Sequence, residues 1–184
     1  KYLVNLFPDN GNILTQCFGE TIVGMMLREV NERNKKIKLF VPETRPYLQG
    51  ARLTSSVSID QGIDTTVITD NMIAHTIKTK GIDCFTSAAD TISLDGNIVN
   101  KVGTLQIAIV AKHFGIPYFV TGIPDKDIKH ISQVKIEERD AKYVLECNGV
   151  KNTKDQVKGY YPAFDVTPPY LVSSVVTDKG IYSP

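Results

Sequence analysis

An α/β fold built on a Rossmann-like, mostly parallel sheet flanked by helices is predicted by three features of the sequence. Short apolar, β-branched or aromatic runs alternate with stretches of helical spacing, several of those runs are apolar at consecutive positions, and glycines fall where the helical stretches end. Such alternation is the sign of a parallel sheet with crossover helices. Apolarity on both faces marks central strands covered from both sides, and a glycine just past the last turn supplies a left-handed cap.

Strands are predicted over Asn12–Thr15, Lys38–Pro42, Thr65–Thr69, Cys84–Ala88 and Tyr118–Thr121. Helices are predicted over Glu20–Arg33, Gln49–Gln61, Asn71–Lys78, Thr104–Phe114 and Pro169–Thr177, with Gly62, Gly81, Gly115 and Gly180 as their stops. A helix-like fragment precedes the first strand. The charged stretch from Lys135 to Gly159, with Asn148-Gly149 as a turn, is read as surface. No repeat or low-complexity segment interrupts the pattern, so one domain over residues 1–184 is expected.

Composition narrows the function. A net charge of +1 and a hydrophobic fraction of 42% exclude a disordered chain and leave no electrostatic footprint for nucleic acid. No apolar run spans a bilayer and no signal peptide opens the chain, so a cytoplasmic protein with no membrane partner is expected. Cys17, Cys84 and Cys147 are too widely spaced for a disulfide framework or a zinc motif, and His75, His113 and His130 are scattered, so no metal and no cofactor are expected. Dinucleotide, P-loop and serine-hydrolase signatures are absent.

Ligands of a doubly wound sheet bind beyond the carboxyl ends of its strands, so the residues leaving each strand are the candidates. They are Thr15 to Glu20, Pro42 to Gly50, Asp70-Asn71, Ala89-Asp90, Asp95 to Asn97 and Asn100 to Thr104, which are expected to converge on one crevice. Cys17 precedes a helix start, whose dipole would favour the thiolate; it reads equally as a small apolar filler. Asp90 ends an apolar strand, where desolvation suits a carboxyl group to acid-base work, or it is a turn carboxylate. Asn100, Lys101 and the helix start at Gly103 make a phosphate- or hydroxyl-binding corner, although Lys101 alone reads as a surface lysine. Prolines in Pro42-Glu43-Thr44-Arg45-Pro46 hold an extended loop that directs Gln49 toward the crevice, and Arg45 reads as well as half of an ion pair.

The segments Pro42-Glu43-Thr44-Arg45-Pro46, Gln49 to Thr54, Ala88-Ala89-Asp90, Asn100 to Thr104, Ile136 to Asp140 and Pro162 to Pro168 together resemble the methylthioribose-1-phosphate isomerase family. That family shares its fold with the regulatory subunits of the eukaryotic initiation factor 2B exchange factor. The resemblance implies an aldose-ketose isomerase acting on a pentose 1-phosphate, either 5-methylthioribose 1-phosphate or 5-deoxyribose 1-phosphate, with ribose 1,5-bisphosphate or a non-catalytic sensing subunit as alternatives. It implies Cys17 and Asp90 as the catalytic pair, and Gln49, Asn100 and Lys101 as substrate-binding residues. It also implies a homodimer, with the apolar Tyr170 to Val176 segment as one interface candidate or as part of the core. An amino-terminal helical domain of the family has no counterpart here, and the chain opens at Lys1 without Met, so a carboxy-terminal portion of a longer polypeptide is expected. Where the family has His-Cys-Asn around its thiol this chain has Gln16-Cys17-Phe18, which changes the expected pocket wall near C1 and C2 of the sugar.

Overall fold

The computed structural model describes all 184 residues, Lys1–Pro184. In chain order the elements are α1 (Tyr2–Asn5), β1 (Asn12–Leu14), α2 (Glu20–Glu32), β2 (Lys38–Pro42), α3 (Ser55–Asp60, entered through a wide turn over Gly50–Thr54), β3 (Asp64–Ile68) and α4 (Ile73–Lys80). There follow β4 (Cys84–Ala88), β5 (Thr91–Ile92), β6 (Ile98–Lys101), α5 (Thr104–Phe114), β7 (Tyr118–Thr121), α6 (Lys142–Leu145), β8 (Glu146–Cys147), β9 (Val150–Lys151), β10 (Phe164–Thr167), β11 (Ser174–Val176) and β12 (Ile181–Tyr182).

Seven strands form the main sheet in the order β12-β11-β7-β4-β1-β2-β3. All its pairings are parallel except β11 with β12. Period-two alternation divides the core between the two faces of this sheet. Leu14, Phe40, Phe85, Tyr118 and Val120 pack with Ile73, Ile77, Ile107, Ala108 and Ala111 of α4 and α5 on one face. Ile13, Leu39, Val41, Cys84 and Phe119 pack with Val23, Met26, Leu27 and Val30 of α2 on the other. Four residues are far too few for an independent helix, but Leu3, Val4 and Phe7 around α1 are buried in this second cluster, each gaining about 1.5–3 kcal/mol from leaving water. Tertiary packing therefore fixes the fragment.

Chain direction in the sheet reverses between β1 and β4. From β1 the chain moves outward through β2 to the edge strand β3, and from β4 it moves the other way through β7 to β11. The carboxyl ends of β1 and β4 therefore open a crevice, the switch point at which doubly wound sheets bind ligands. A second sheet, β10-β6-β5, is antiparallel and lies beside that crevice.

The predicted helix over Pro169–Thr177 is not formed. A short turn over Pro169–Leu171 leads instead into β11, which pairs with β7. Leu171, Val172, Val175 and Val176 repeat at a spacing that fits a helix face, but three of the four are β-branched, and in extended form they send Val175 to one face of the sheet and Val176 to the other. These residues thus belong to the chain's own core, leaving Tyr170, 72% exposed, as the segment's outward large side chain. Gly62, Gly81 and Gly115 follow α3, α4 and α5 at positive φ, whereas Gly180 turns the β11–β12 hairpin. No helix is long and apolar enough to cross a membrane.

Candidate functional site

A cleft of about 440 Å³ occupies the switch point. Cys17 to Ile22 line it from the β1–α2 junction, Ala88, Ala89 and Asp90 from the end of β4, Asn100 and Lys101 from β6, with Gln49, Arg139 and Phe164 completing it. All five residues singled out from the sequence, Cys17, Asp90, Gln49, Asn100 and Lys101, face this one space. Of the other strand exits, Asp70-Asn71 and Asp95 to Asn97 do not line it.

Cys17 is held in a left-handed conformation (φ 59°), costly for a residue with a side chain. Two threonine hydroxyls fix it: its N–H donates to Thr44 Oγ1 at 3.3 Å, and its carbonyl accepts from Thr54 Oγ1. Thr44 is itself left-handed (φ 62°), and its N–H donates to Asp70 Oδ1 at 2.9 Å, with the Arg45 N–H donating to Oδ2 at 2.7 Å. Asp70 therefore braces the loop behind the thiol. A Cβ at Gly50 would lie 1.8 Å from the Pro42 carbonyl oxygen, so only glycine lets this loop fold back against β2. Arg45 forms no ion pair; its Nη2 donates to the carbonyls of Glu146 and Tyr143, at 2.7 and 3.2 Å, and ties the loop to α6.

Burial dominates the electrostatics of the pair. It pushes the Cys17 thiol above its ordinary range, outweighing the Phe18 N–H and the Lys101 charge that act the other way. The thiolate expected at a helix start is thus not the favoured form, because desolvation is the largest influence on the thiol. Solvent reaches the Asp90 side chain at the open mouth, yet enough protein surrounds its carboxyl group for desolvation to raise it, against the opposing charges of Lys101 and Arg139.

Asn100 and Lys101 lie on β6 rather than in a loop, and both are buried. Asn100 Nδ2 donates to Thr104 Oγ1 at 3.0 Å, which in turn donates to the Lys101 carbonyl at 2.7 Å. Lys101 is only 4% exposed and takes part in none of the molecule's ion pairs. Its ammonium lies 5.1 Å from the Phe164 ring centroid and 5.8 Å from that of Tyr47, and burial lowers its proton affinity. Gln49 presents a carbonyl oxygen without a protein donor.

Two expectations for the cleft change. The start of α5 is not free to hold an anion, because Asp165 accepts from the Gly103 N–H at 2.6 Å and the Leu105 N–H at 3.1 Å. Gln16 is buried beneath the cleft, donating to the Val102 carbonyl at 3.3 Å, so Phe18 and Glu20 are the wall residues at this position of the fold. Arg139 also lines the cleft, a position that its local sequence does not mark. It stands inside the Ile136 to Asp140 motif, but the charge density of its surroundings marks a solvated surface, and only the bridge between Glu138 and Pro162 returns it to the cleft.

Asp165 carries a separate consequence. Burial raises its carboxyl group from 3.8 to about 6, so between those values the folded state holds more protons than the unfolded one and stability falls as pH rises. Asp165→Asn is expected to flatten the change in Tm between pH 4 and pH 6, measured by thermal denaturation across that window; an unchanged slope would assign it to other groups.

The fold and its cleft define an α/β protein with a cationic, acid-base-bearing site at the sheet's switch point. The chain belongs to the Initiation factor 2 subunit family, whose model matches residues 1–184. Among curated relatives, methylthioribose-1-phosphate isomerase of Bacillus pumilus is 44% identical over 174 residues, covering 93% of this chain and 49% of its own. The enzyme of the same name from Caldicellulosiruptor saccharolyticus is 40% identical, covering 97% and 55%. The crystal structure of 5-methylthioribose 1-phosphate isomerase from Pyrococcus horikoshii superposes with a TM-score of 0.92 at 34% identity, over all of this chain and 54% of that one. Translation initiation factor eIF-2B, subunit delta, from A. fulgidus gives the same TM-score at 33% identity, over all of this chain and 56% of that one. The chain spans about half the length of the curated relatives it matches.

Proposed function

We propose that the cleft is the catalytic site of a sugar-phosphate aldose-ketose isomerase, converting 5-methylthioribose 1-phosphate, or its 5-deoxyribose counterpart, to the ribulose 1-phosphate. The observation that carries this reading is the conjunction, in one cleft, of a desolvated thiol and carboxyl group with a buried, unpaired lysine. Phe18, Ile22, Ala88 and Ala89 give the same cleft an apolar wall suited to a 5-deoxy or 5-methylthio end. The names of the relatives, isomerases for the greater part, support it.

In a 1-phosphorylated aldose the anomeric oxygen is blocked, so the ring opens by cleavage of the bond between C1 and the ring oxygen. Asp90 donates its proton to that oxygen, leaving an oxocarbenium centre at C1. The hydrogen on C2 then moves to C1 with its electron pair, C2 becomes a protonated ketone, and the O2 proton must leave. Cys17, kept as the thiol by burial, accepts that proton on sulfur while passing its own to the Asp90 carboxylate. Both groups return to their starting states. Gln49 and Asn100 orient the sugar hydroxyls, and Lys101 holds the phosphate.

The cleft is open on one side, and a further domain of the same polypeptide and a homodimeric assembly complete this reading. Turnover of 5-methylthioribose 1-phosphate, 5-deoxyribose 1-phosphate and ribose 1,5-bisphosphate tests it. Ketose formation from one of the first two is expected. The equal structural similarity to the initiation factor subunit favours one alternative, a sensing subunit, and binding of a pentose phosphate without turnover would establish that instead.

A further inference from the structure

Arg139 is a cleft residue that neither its family motif nor the composition of its segment assigns to a ligand. Its backbone is fixed by the N–H to the Tyr161 carbonyl at 2.9 Å. Its guanidinium carbon lies 5.5 Å from the Tyr47 ring centroid and 5.6 Å from that of Phe164. These are the two rings that also flank the Lys101 ammonium. Two cations thus share one aromatic seat, and the guanidinium charge adds to burial in lowering the proton affinity of the ammonium.

Like charges held together at a cleft wall call for an anion. Glu137 meets only one edge of the guanidinium, accepting from Nε at 2.9 Å and from Nη2 at 3.1 Å, and that carboxylate lies on the exposed side, 54% accessible. Beyond Glu137 the guanidinium meets no second carboxylate; the Tyr161 hydroxyl is its further polar neighbour. Tyr47 is itself locked edge-on between Tyr143 and Tyr161, at centroid separations of 5.2 and 5.7 Å, so the seat is rigid. A guanidinium oriented by one carboxylate, sharing its aromatic seat and its cleft with a buried lysine, offers the paired charge and planar donors that a phosphate dianion matches.

We infer that Arg139 is a substrate-binding residue, which together with Lys101 grips the phosphate monoester of the ligand. This deepens the isomerase reading and rests on the cleft being a sugar-phosphate site. Glu137 is then a positioning residue that presents the guanidinium.

The test compares the protein with its Arg139→Gln, Arg139→Lys and Asp90→Asn variants, reading inorganic phosphate binding by calorimetry and, in parallel, KM and kcat. A charge-assisted bidentate contact of about 1.5–3 kcal/mol corresponds to a loss of about tenfold or more. Arg139→Gln is expected to weaken phosphate binding and raise KM by that factor, Arg139→Lys to recover part of both, and Asp90→Asn to retain phosphate binding while losing turnover. Thermal denaturation of the variants separates a folding defect from a binding one. Phosphate affinity and KM unchanged in a folded Arg139→Gln, in a protein that turns over its sugar phosphate, overturns the role of Arg139 alone. Absence of both phosphate binding and turnover in the unmodified protein overturns the isomerase reading together with it.

Discussion

Replacing Asp90 with Asn is expected to lower kcat by about 10²–10⁴-fold, the usual contribution of a positioned proton donor, while the protein stays folded. The structure predicts both halves of that result. The Asp90 side chain accepts no hydrogen bond from the protein, and only its backbone N–H is engaged, to the Val99 carbonyl at 2.9 Å. Asn therefore breaks no contact. Desolvation makes the native carboxylate unfavourable where it stands, so Tm is expected to be equal or slightly higher in the variant, the pattern of a group retained for activity at some cost in stability. The pH dependence follows from the same shift. A donor must be protonated, so kcat/KM should fall as pH rises through the Asp90 value, on a limb displaced above the ordinary 3.8. That limb should be absent from the residual activity of the Asn variant. Wild-type turnover in Asp90→Asn, or a destabilised protein with the limb intact, would remove Asp90 from the mechanism.

Much of this was legible in the sequence, for reasons that differ from element to element. The strands Lys38–Pro42, Cys84–Ala88 and Tyr118–Thr121 and the helix Thr104–Phe114 have the predicted bounds, because central parallel strands are apolar on both faces and a cap glycine closes the helix. The Pro169–Thr177 segment reads as a helix because pairs of apolar residues three to four apart satisfy a helix and a two-faced strand alike, and only pairing with β7 decides. Strands β5 and β6 leave little mark on the sequence because both are short, and the partner of β6 on its other side, β10, lies more than sixty residues downstream. Without β6, Asn100 and Lys101 read only as residues ahead of the Gly103 helix start.

At the cleft, the strand-exit rule placed Cys17, Asp90 and Gln49 where the structure has them, since it depends on topology alone. What it could not supply was sign and magnitude. The helix start beside Cys17 argued for a thiolate, but burial won. The free N–H groups predicted at Gly103 are taken by Asp165, a residue sixty positions away that no local pattern connects to α5. Arg139 reached the cleft by the same kind of long-range pairing.

The Cys17 substitutions carry the second large effect, and they separate two chemistries. If the thiol relays the O2 proton to Asp90, then Cys17→Ala removes the relay and should lower kcat by about 10²–10⁴-fold. Cys17→Ser leaves a hydroxyl that can pass a proton in the same way, and should retain an intermediate rate, at a loss of stability of about 1–3 kcal/mol for burying an unpartnered hydroxyl. If Cys17 acts instead as a thiolate base at C2, the serine would need an alkoxide and should be as inactive as the alanine. The thiol's upward shift sets the further contrast in pH: a thiolate base would give a rate that climbs with pH into the alkaline range, whereas the relay needs the protonated form and predicts no such climb. Isomerisation in deuterated water reports on the same choice at the carbon. A hydride that moves from C2 to C1 never meets solvent, so the relay predicts a ketose free of deuterium at C1, while abstraction by Cys17 would place it there. Near-normal turnover in the alanine variant would reduce Cys17 to a packing residue, and the left-handed conformation that Thr44 and Thr54 hold at its backbone would then have to serve the loop alone.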